Sequence, residues 1–235
     1  MLIDQSTVQA GLRVADGKRV YYLSPGDCLT NAAKDWLHEQ RVEVVCRPQT
    51  PPAQFRTLSG AVLTEKPESM THLAGNILVA KDHPRIVFRG MIDTLEAEIL
   101  LAQKAAQAEQ NSALVAQLQQ VLEFVRNLIP CDVLGKPVGE FSLCGLDAAA
   151  LREHSHHPER YYGQHHFMPA VTDSRSLLWL NRVRTVVRQT EIACYRAFST
   201  PDGEVQREDM VLALNRLSSL IWILMIQQKA AQKGE

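Results

Sequence analysis

With 235 residues, 46% of them apolar, the chain can bury a substantial core in one moderate domain, or in one larger domain with a small appendage, and is too short for a multi-module scaffold. Its 25 Lys and Arg against 26 Asp and Glu leave a formal net charge of -1, which excludes an overall electrostatic draw to nucleic acid or anionic membrane, so any anion site must be local. Cys28, Cys46, Cys131, Cys144 and Cys194 are odd in number, widely spaced and free of any CxxC pair, which argues against a disulfide framework or a cysteine zinc site and suits a reducing cytoplasm.

The N-terminus has no charged-then-apolar signal layout, and the longest apolar run, Leu220 to Ile226, is far below the ~20 residues of a membrane span, so a soluble chain is expected. Residues 1–58 read as a small α/β unit: "KRVYYLSP" suits a strand, "DCLTNAAKDWLHEQ" a helix with Leu29, Ala33, Trp36 and Leu37 on one face, and "RVEVVCR" a second strand. "PQTPPAQFRTLSGAV" is rich in Pro, Thr and Gln, breaks both periodicities, and places a boundary at residues 48–60, leaving 59–235 as a helical domain.

From Pro84 onward the pattern is helical. Ile92, Leu95, Ile99 and Leu100 mark one stripe, and Leu114, Leu118, Val121, Leu122 and Val125 mark the next, which Pro130 should end. "CDVLGKPVGEFSLCGL" reads as an irregular connection before a short helix, "DAAALREHSHH". Long helices are then expected over Ser174 to Phe198 and Glu208 to Lys229, parted by the turn signal "STPDGEV". The fold class expected is mainly α: an up-and-down bundle of about five helices with a small N-terminal α/β unit.

Several stretches can carry chemistry. "RTVVRQTE" spaces Arg184, Arg188 and Glu191 at i, i+4 and i+7, on one helix face. The plain reading is a solvated strip with an Arg188–Glu191 pair; the sharper one is a polyphosphate clamp, because guanidinium keeps its charge and offers planar paired donors. In "LNRLSSLIWILM", Asn215, Ser218, Ser219 and Trp222 adjoin on one face of an apolar helix, which suits either a hydrogen-bond network for packing or a ligand contact. Arg216 projects about 100° from Asn215 and reads as a packing or subunit-contact residue.

"VAKDHPRIVFRGMID" gathers Lys81, Asp82, Arg85, Arg89 and Asp93 where loop becomes helix, as a charged cap or an anion site. "EHSHHPERYYGQHHFMP" holds His154, His156, His157, His165 and His166, in no familiar zinc spacing, so a bent ligand-facing loop is the better reading and no metal ligand is assigned. No serine or cysteine sits in a nucleophile motif, and no GxGxxG turn follows a strand.

Three of these segments, in order, resemble the ATP:corrinoid adenosyltransferases of the PduO type, and more closely their ethanolamine-utilisation relatives, the EutT type. "THLAGNILVAKDHPRIVFRGMID" is similar to the family's phosphate-loop and Lys-Asp-x-Pro-Arg segment, "RTVVRQTE" to its Arg-x-x-x-Arg-x-x-Glu helix, and "LNRLSSLIWILM" to its Asn-Arg-Leu-Ser helix. The resemblance covers residues 64 to 230 in outline. It implies Arg188, Arg184 and Asp93 as catalytic residues, with Asp93 pairing Arg184 across a subunit boundary. It implies Thr71, Lys81, Arg188, Glu191 and Asn215 as ATP contacts, and Phe167 with His166 against the corrinoid. Three features depart from the pattern: the glycine-rich ATP loop is not legible in "TEKPESMTHL", Ser219 and Gln189 stand where PduO-type proteins have Asp and Arg, and the CCxxC cluster of many EutT proteins is absent.

The chemistry so implied is attack by the cobalt of cob(I)alamin on the 5′ carbon of ATP, with Mg²⁺ beside the triphosphate. The corrinoid supplies the nucleophile, which accounts for the missing side-chain nucleophile. The resemblance further implies a homo-oligomer, a trimer by the PduO pattern or a dimer, in the cytoplasm or a bacterial microcompartment. It implies adenosylcobalamin delivered to ethanolamine ammonia-lyase, with no nucleic-acid or membrane partner. A non-catalytic helical carrier of corrinoid or nucleotide is the alternative, and a histidine-loop metal protein a third.

Overall fold

The computed structural model describes residues 1–15, 17–46 and 54–232, and the chain divides into two units, Met1–Ala53 and Gln54–Glu235. Residues 48–53 of the expected boundary lie outside the described residues. The first unit runs β1 (Leu2–Ile3), α1 (Gln5–Ala10), β2 (Arg13–Ala15), β3 (Lys18–Leu23), β4 (Cys28–Leu29), α2 (Asn31–Glu39) and β5 (Glu43–Cys46). The two expected strands are β3 and β5, which pair in parallel across the helix between them, while β2 adds an antiparallel edge and β1 pairs with β4. Thr30 caps α2 by accepting the Ala33 N–H at 3.2 Å. The expected face of that helix, Ala33 and Leu37 with Leu29 and Trp36 beside them, packs on Ile3, Val8, Tyr21 and Val42.

The second unit opens with strands the sequence reading did not anticipate: β6 (Phe55–Thr57), β7 (Val62–Leu63), β8 (Met70–Ala74) and β9 (Ile77–Ala80). They form a four-stranded sheet in the order β7-β6-β9-β8, with β6 and β9 parallel. Strands this short show no legible period, and although β6–β7 and β8–β9 are local hairpins, the β6–β9 pairing that joins them into one sheet lies about twenty residues apart in sequence, Arg56 opposite Ile77.

Helix α3 (Pro84–Ala108) follows, with Pro84 in its first turn and His83 Nδ1 accepting the Arg85 N–H at 3.2 Å. Gln110, at a φ of 56°, takes the left-handed turn to α4 (Ser112–Val133), which Asn111 caps through the Leu114 N–H at 3.0 Å. Pro130 does not end α4, which runs three residues further. Asp132, in that last turn, is buried and gripped by two arginines of α3, a tertiary tie that outweighs the hydrogen bond lost at the proline.

The connection beyond contains the hairpin β10 (Ser142–Leu143) and β11 (Leu146–Asp147), then α5 (Ala148–His156), α6 (Pro158–Tyr162), α7 (Arg175–Phe198) and α8 (Glu208–Ala231). Helices α3, α4, α7 and α8 share one core, in which Ile92, Leu95, Ile99, Leu118, Val125, Leu180, Val187, Leu217, Ile221 and Leu224 are fully buried. Counting the whole helix, α8 is long and apolar enough to cross a membrane, which the run Leu220 to Ile226 alone did not suggest; most of its apolar stretch is buried inside this core.

Arg207 and Asp209 pin the segment after α4 to the start of α8. Arg207 donates to the carbonyls of Cys131 at 3.1 Å and Lys136 at 2.9 Å and pairs with Asp209, which accepts the Val138 N–H at 2.9 Å. The Arg207 hydrogen bond holds the Asp209 carboxyl below the usual carboxylate range, against the opposing effect of burial. A depressed folded-state pKa contributes stability above the unfolded pKa, and that contribution is lost as pH falls through the folded one. Asp209→Asn is therefore expected to melt roughly a few degrees below the parent at pH 7, with the gap closing as pH falls below the ordinary carboxylate range, as read by thermal unfolding across pH.

Candidate functional site

The heptad-like spacing of α7 buries Leu177, Leu180, Val183, Val187 and Cys194 and turns Arg184, Arg188 and Glu191 together to the adjoining face. On α8 the same logic buries Leu214, Leu217, Ile221 and Met225 and leaves Asn215, Arg216, Ser218, Ser219 and Trp222 facing those α7 residues. Helix α5 closes a third side with Arg152, Ser155 and His156, and the loop before α7 brings in His166. The space between them is a cavity of about 460 Å³ that opens to solvent on one side.

Its electrostatics are lopsided. Arg152, Arg184, Arg188 and Arg216 line it, against, among the described residues, the single carboxylate of Glu191. Glu191 Oε1 accepts from Asn215 Nδ2 at 3.0 Å, and Asn215 Oδ1 accepts from Arg216 Nη1 at 2.6 Å, so Asn215 bridges acid and base. Among the described residues no carboxylate lies within 4.0 Å of any of the four guanidiniums. The Nε atoms of Arg184 and Arg216 are buried without a hydrogen-bond acceptor. Burial and the neighbouring Arg188 push the Arg184 pKa down; burial and Arg152 do the same to Arg216, with Glu191 opposing. Guanidinium remains protonated regardless, so the cavity holds unmatched positive charge that an anion with several oxygens would satisfy.

One wall is aromatic. Trp222 carries the Arg184 guanidinium 5.1 Å from its ring centroid and stacks on His166 at 5.6 Å and 8° and on Phe167 at 5.3 Å and 21°. Trp222 Nε1 donates to His166 Nδ1 at 3.2 Å, which leaves Nε2 as the protonated nitrogen of a neutral His166.

The expected site residues thus divide. Arg184, Arg188, Glu191, Asn215 and His166 line the cavity, with Phe167 at its aromatic edge. Thr71, opposite Val79 on β8, Lys81, just past β9, and Asp93, exposed on α3, do not. The Lys81 ammonium lies 3.9 Å from Glu68 Oε2, and within the chain Arg184 meets Trp222 where the resemblance implied Asp93.

Arg85 and Arg89, in the first two turns of α3, are neutralised internally. Arg85 Nε donates to Asp132 Oδ1 at 2.8 Å and Arg89 Nε to Oδ2 at 2.7 Å, and Arg89 Nη2 reaches the Leu73 carbonyl at 2.8 Å. The histidines disperse: His154 accepts or donates at 2.8 Å to the Tyr162 hydroxyl and stacks on Tyr161, while His156 and His166 face the cavity. Among the described residues no three His, Cys, Asp or Glu side chains converge in a metal-binding group.

Arg216 joins the cavity, because its long side chain reaches back over Asn215; it is not turned away as its 100° offset suggested. Arg152 was not singled out at all: a lone arginine on a short helix carries no local signal, and only the packing of α5 against α8 places it.

The family model for cobalamin adenosyltransferase matches residues 61–228. Over 165 residues the chain is 35% identical to the corrinoid adenosyltransferase EutT of Escherichia coli, an overlap of 70% of this chain and 60% of that protein. Over 209 residues it is 32% identical to the protein of the same name from Salmonella typhimurium, covering 88% of this chain and 76% of that one. A variant PduO-type ATP:corrinoid adenosyltransferase from Lactobacillus reuteri, solved with cobalamin and ATP, superposes with a TM-score of 0.44 at 14% identity, over 77% of this chain and 91% of that one. The chain spans about 60% of the length of the Escherichia coli relative. With the family model covering most of its length, and with its Arg-x-x-x-Arg-x-x-Glu and Asn-Arg-Leu-Ser helices facing one another, this chain belongs to the cobalamin adenosyltransferase family.

Proposed function

We propose that the chain transfers the 5′-deoxyadenosyl group of ATP to the cobalt of cob(I)alamin, forming a cobalt–carbon bond as the C5′–oxygen bond breaks and the polyphosphate leaves with its electron pair. The observation that carries this reading is the cavity of unmatched guanidiniums beside an aromatic wall. In this reading Arg188 and Arg184 stabilise charge on the departing polyphosphate. Asn215 and Glu191 contact the nucleotide, and Phe167 covers the lower face of the corrin. Glu191, among the described residues the one carboxylate lining the cavity, is the residue fit to reach a Mg²⁺ ion that arrives with ATP.

Thr71, Lys81 and Asp93 lie outside this cavity, which supports a site completed by a second copy of the chain, with Asp93 of one copy reaching Arg184 of another. A homo-oligomer, trimeric or dimeric, belongs to this reading. So does service to ethanolamine ammonia-lyase, in the cytoplasm or a microcompartment, in keeping with the ethanolamine-utilisation resemblance. The alternative, a carrier without turnover, has little use for two guanidiniums on α7 that, among the described residues, form no ion pair.

The deciding experiment incubates the protein with ATP, cobalamin and a reductant and follows the visible spectrum: conversion to adenosylcobalamin is expected, and binding spectra without conversion would leave only the carrier. Phe167→Ala tests the aromatic wall. Excluding a lower ligand favours four-coordinate Co(II), which is easier to reduce, so turnover begun from cob(II)alamin should fall about tenfold or more, while turnover from pre-reduced cob(I)alamin falls less. An equal rate from cob(II)alamin would remove Phe167 from this role.

A further inference from the structure

The loop that carries His166 and Phe167 is held from its far end. Asp173 is 7% exposed with its carboxylate wholly buried. It accepts the Ala170 N–H at 2.7 Å through Oδ2, and through Oδ1 it takes the ammonium of Lys229, in the last turn of α8. That same ammonium stands 5.5 Å over the Phe167 ring. Trp222, the surface on which Phe167 and His166 stack, precedes Lys229 by two helical turns, so both anchors of the loop project from one face of α8. At the crown of the loop the apolar side chains of Met168 and Val171 are 87% and 92% exposed.

A buried ion pair adds little stability over an apolar pair of the same volume, but it joins one particular carboxylate to one particular ammonium and so fixes geometry. We infer that the Asp173–Lys229 pair is a positioning latch, which ties the loop to α8 and thereby holds Phe167 and His166 flat on Trp222, setting the aromatic wall against which the corrinoid lies. The corrinoid in this statement rests on the adenosyltransferase reading; the latch itself needs no ligand to be seen.

Trp222 is the natural reporter once Trp36 and Trp179 are replaced by Phe. In that background Asp173→Asn and Lys229→Met unlatch the loop, and the acrylamide quenching constant of the ligand-free protein is expected to rise about twofold as the indole is uncovered. Lys229→Arg, which can still meet the carboxylate, should quench as the parent does. In turnover with ATP and a reductant, begun from cob(II)alamin, the two unlatched variants should lose about tenfold or more in kcat with the KM for ATP within about twofold, because a displaced wall no longer keeps a lower ligand off the cobalt and leaves the polyphosphate site intact. Lys229→Arg should recover most of that loss.

Should Asp173→Asn fail to fold by far-UV circular dichroism, Lys229→Met decides alone. Unchanged quenching in the folded variants overturns the latch whatever turnover does. Parental kcat in unlatched variants whose quenching has risen overturns the link between latch and catalysis. A parent protein without any turnover sinks the adenosyltransferase reading, and the quenching comparison still decides the latch.

Discussion

Arg188→Ala is expected to lower adenosyl transfer by about 10²- to 10³-fold, the loss that follows removal of one preorganised donor from a charge-developing transition state. Arg188 is exposed and makes no ion pair among the described residues, so its loss breaks no salt bridge of the fold. Arg188 helps to depress the Arg184 pKa, so losing this like charge relieves repulsion there. The variant should therefore melt at or slightly above the parental temperature while its turnover collapses.

Inorganic tripolyphosphate separates this from indirect effects. Calorimetric titration should show the parent binding it, with an affinity that falls as salt is raised, and Arg188→Ala binding it at least about tenfold more weakly, one guanidinium–phosphate contact being worth roughly 1.5 to 3 kcal/mol. Equal tripolyphosphate affinity in parent and variant would mean that the arginine cavity is not where the polyphosphate sits.

The largest stability effect is expected at Asp132, which does not line the cavity. Its side chain is fully buried and accepts from both Arg85 and Arg89, whose side chains are 25% and 17% exposed. Replacing it by Ala leaves two partly buried guanidiniums facing each other with no acid between them. The cost of orphaning a buried charge is about 3 to 5 kcal/mol, and the residual exposure of both arginines places this case near the lower end. The damage should also spread to the sheet, because Arg89 reaches from Asp132 to the carbonyls of His72 and Leu73 on β8. Urea unfolding of Asp132→Ala reads the loss directly, and hydrogen exchange at β8 should quicken more than at α8. A loss below about 1 kcal/mol would show that water solvates the two arginines as well as the carboxylate does.

These two residues differ in how far the sequence announces them. Arg188 is legible because its partners are its own helix neighbours: the spacing of Arg184, Arg188 and Glu191 follows from helical geometry alone. Asp132 is invisible because its meaning comes from α3, more than forty residues away, and because Pro130 beside it reads as a helix end. Arg216 falls between the two. Its angular offset from Asn215 was read correctly, but a long side chain can bend its head group back over a neighbour, and which way it bends depends on what stands opposite.

Local periodicity and capping chemistry were sufficient for the long helices α3, α4, α7 and α8, for α2 with its Thr30 cap, and for the pairing of arginines on α7, since each depends on contacts within four residues along the chain. The segments resembling a corrinoid adenosyltransferase were legible for the same reason, as short runs with fixed spacing. Tertiary structure alone decided the four-stranded sheet before α3, the burial of Asp132, the entry of Arg152 and Arg216 into the cavity, and the hold of Lys229 on Asp173. In each of these the partners lie on different elements, so the energy that places them comes from packing between elements, to which a local pattern in the chain carries no guide.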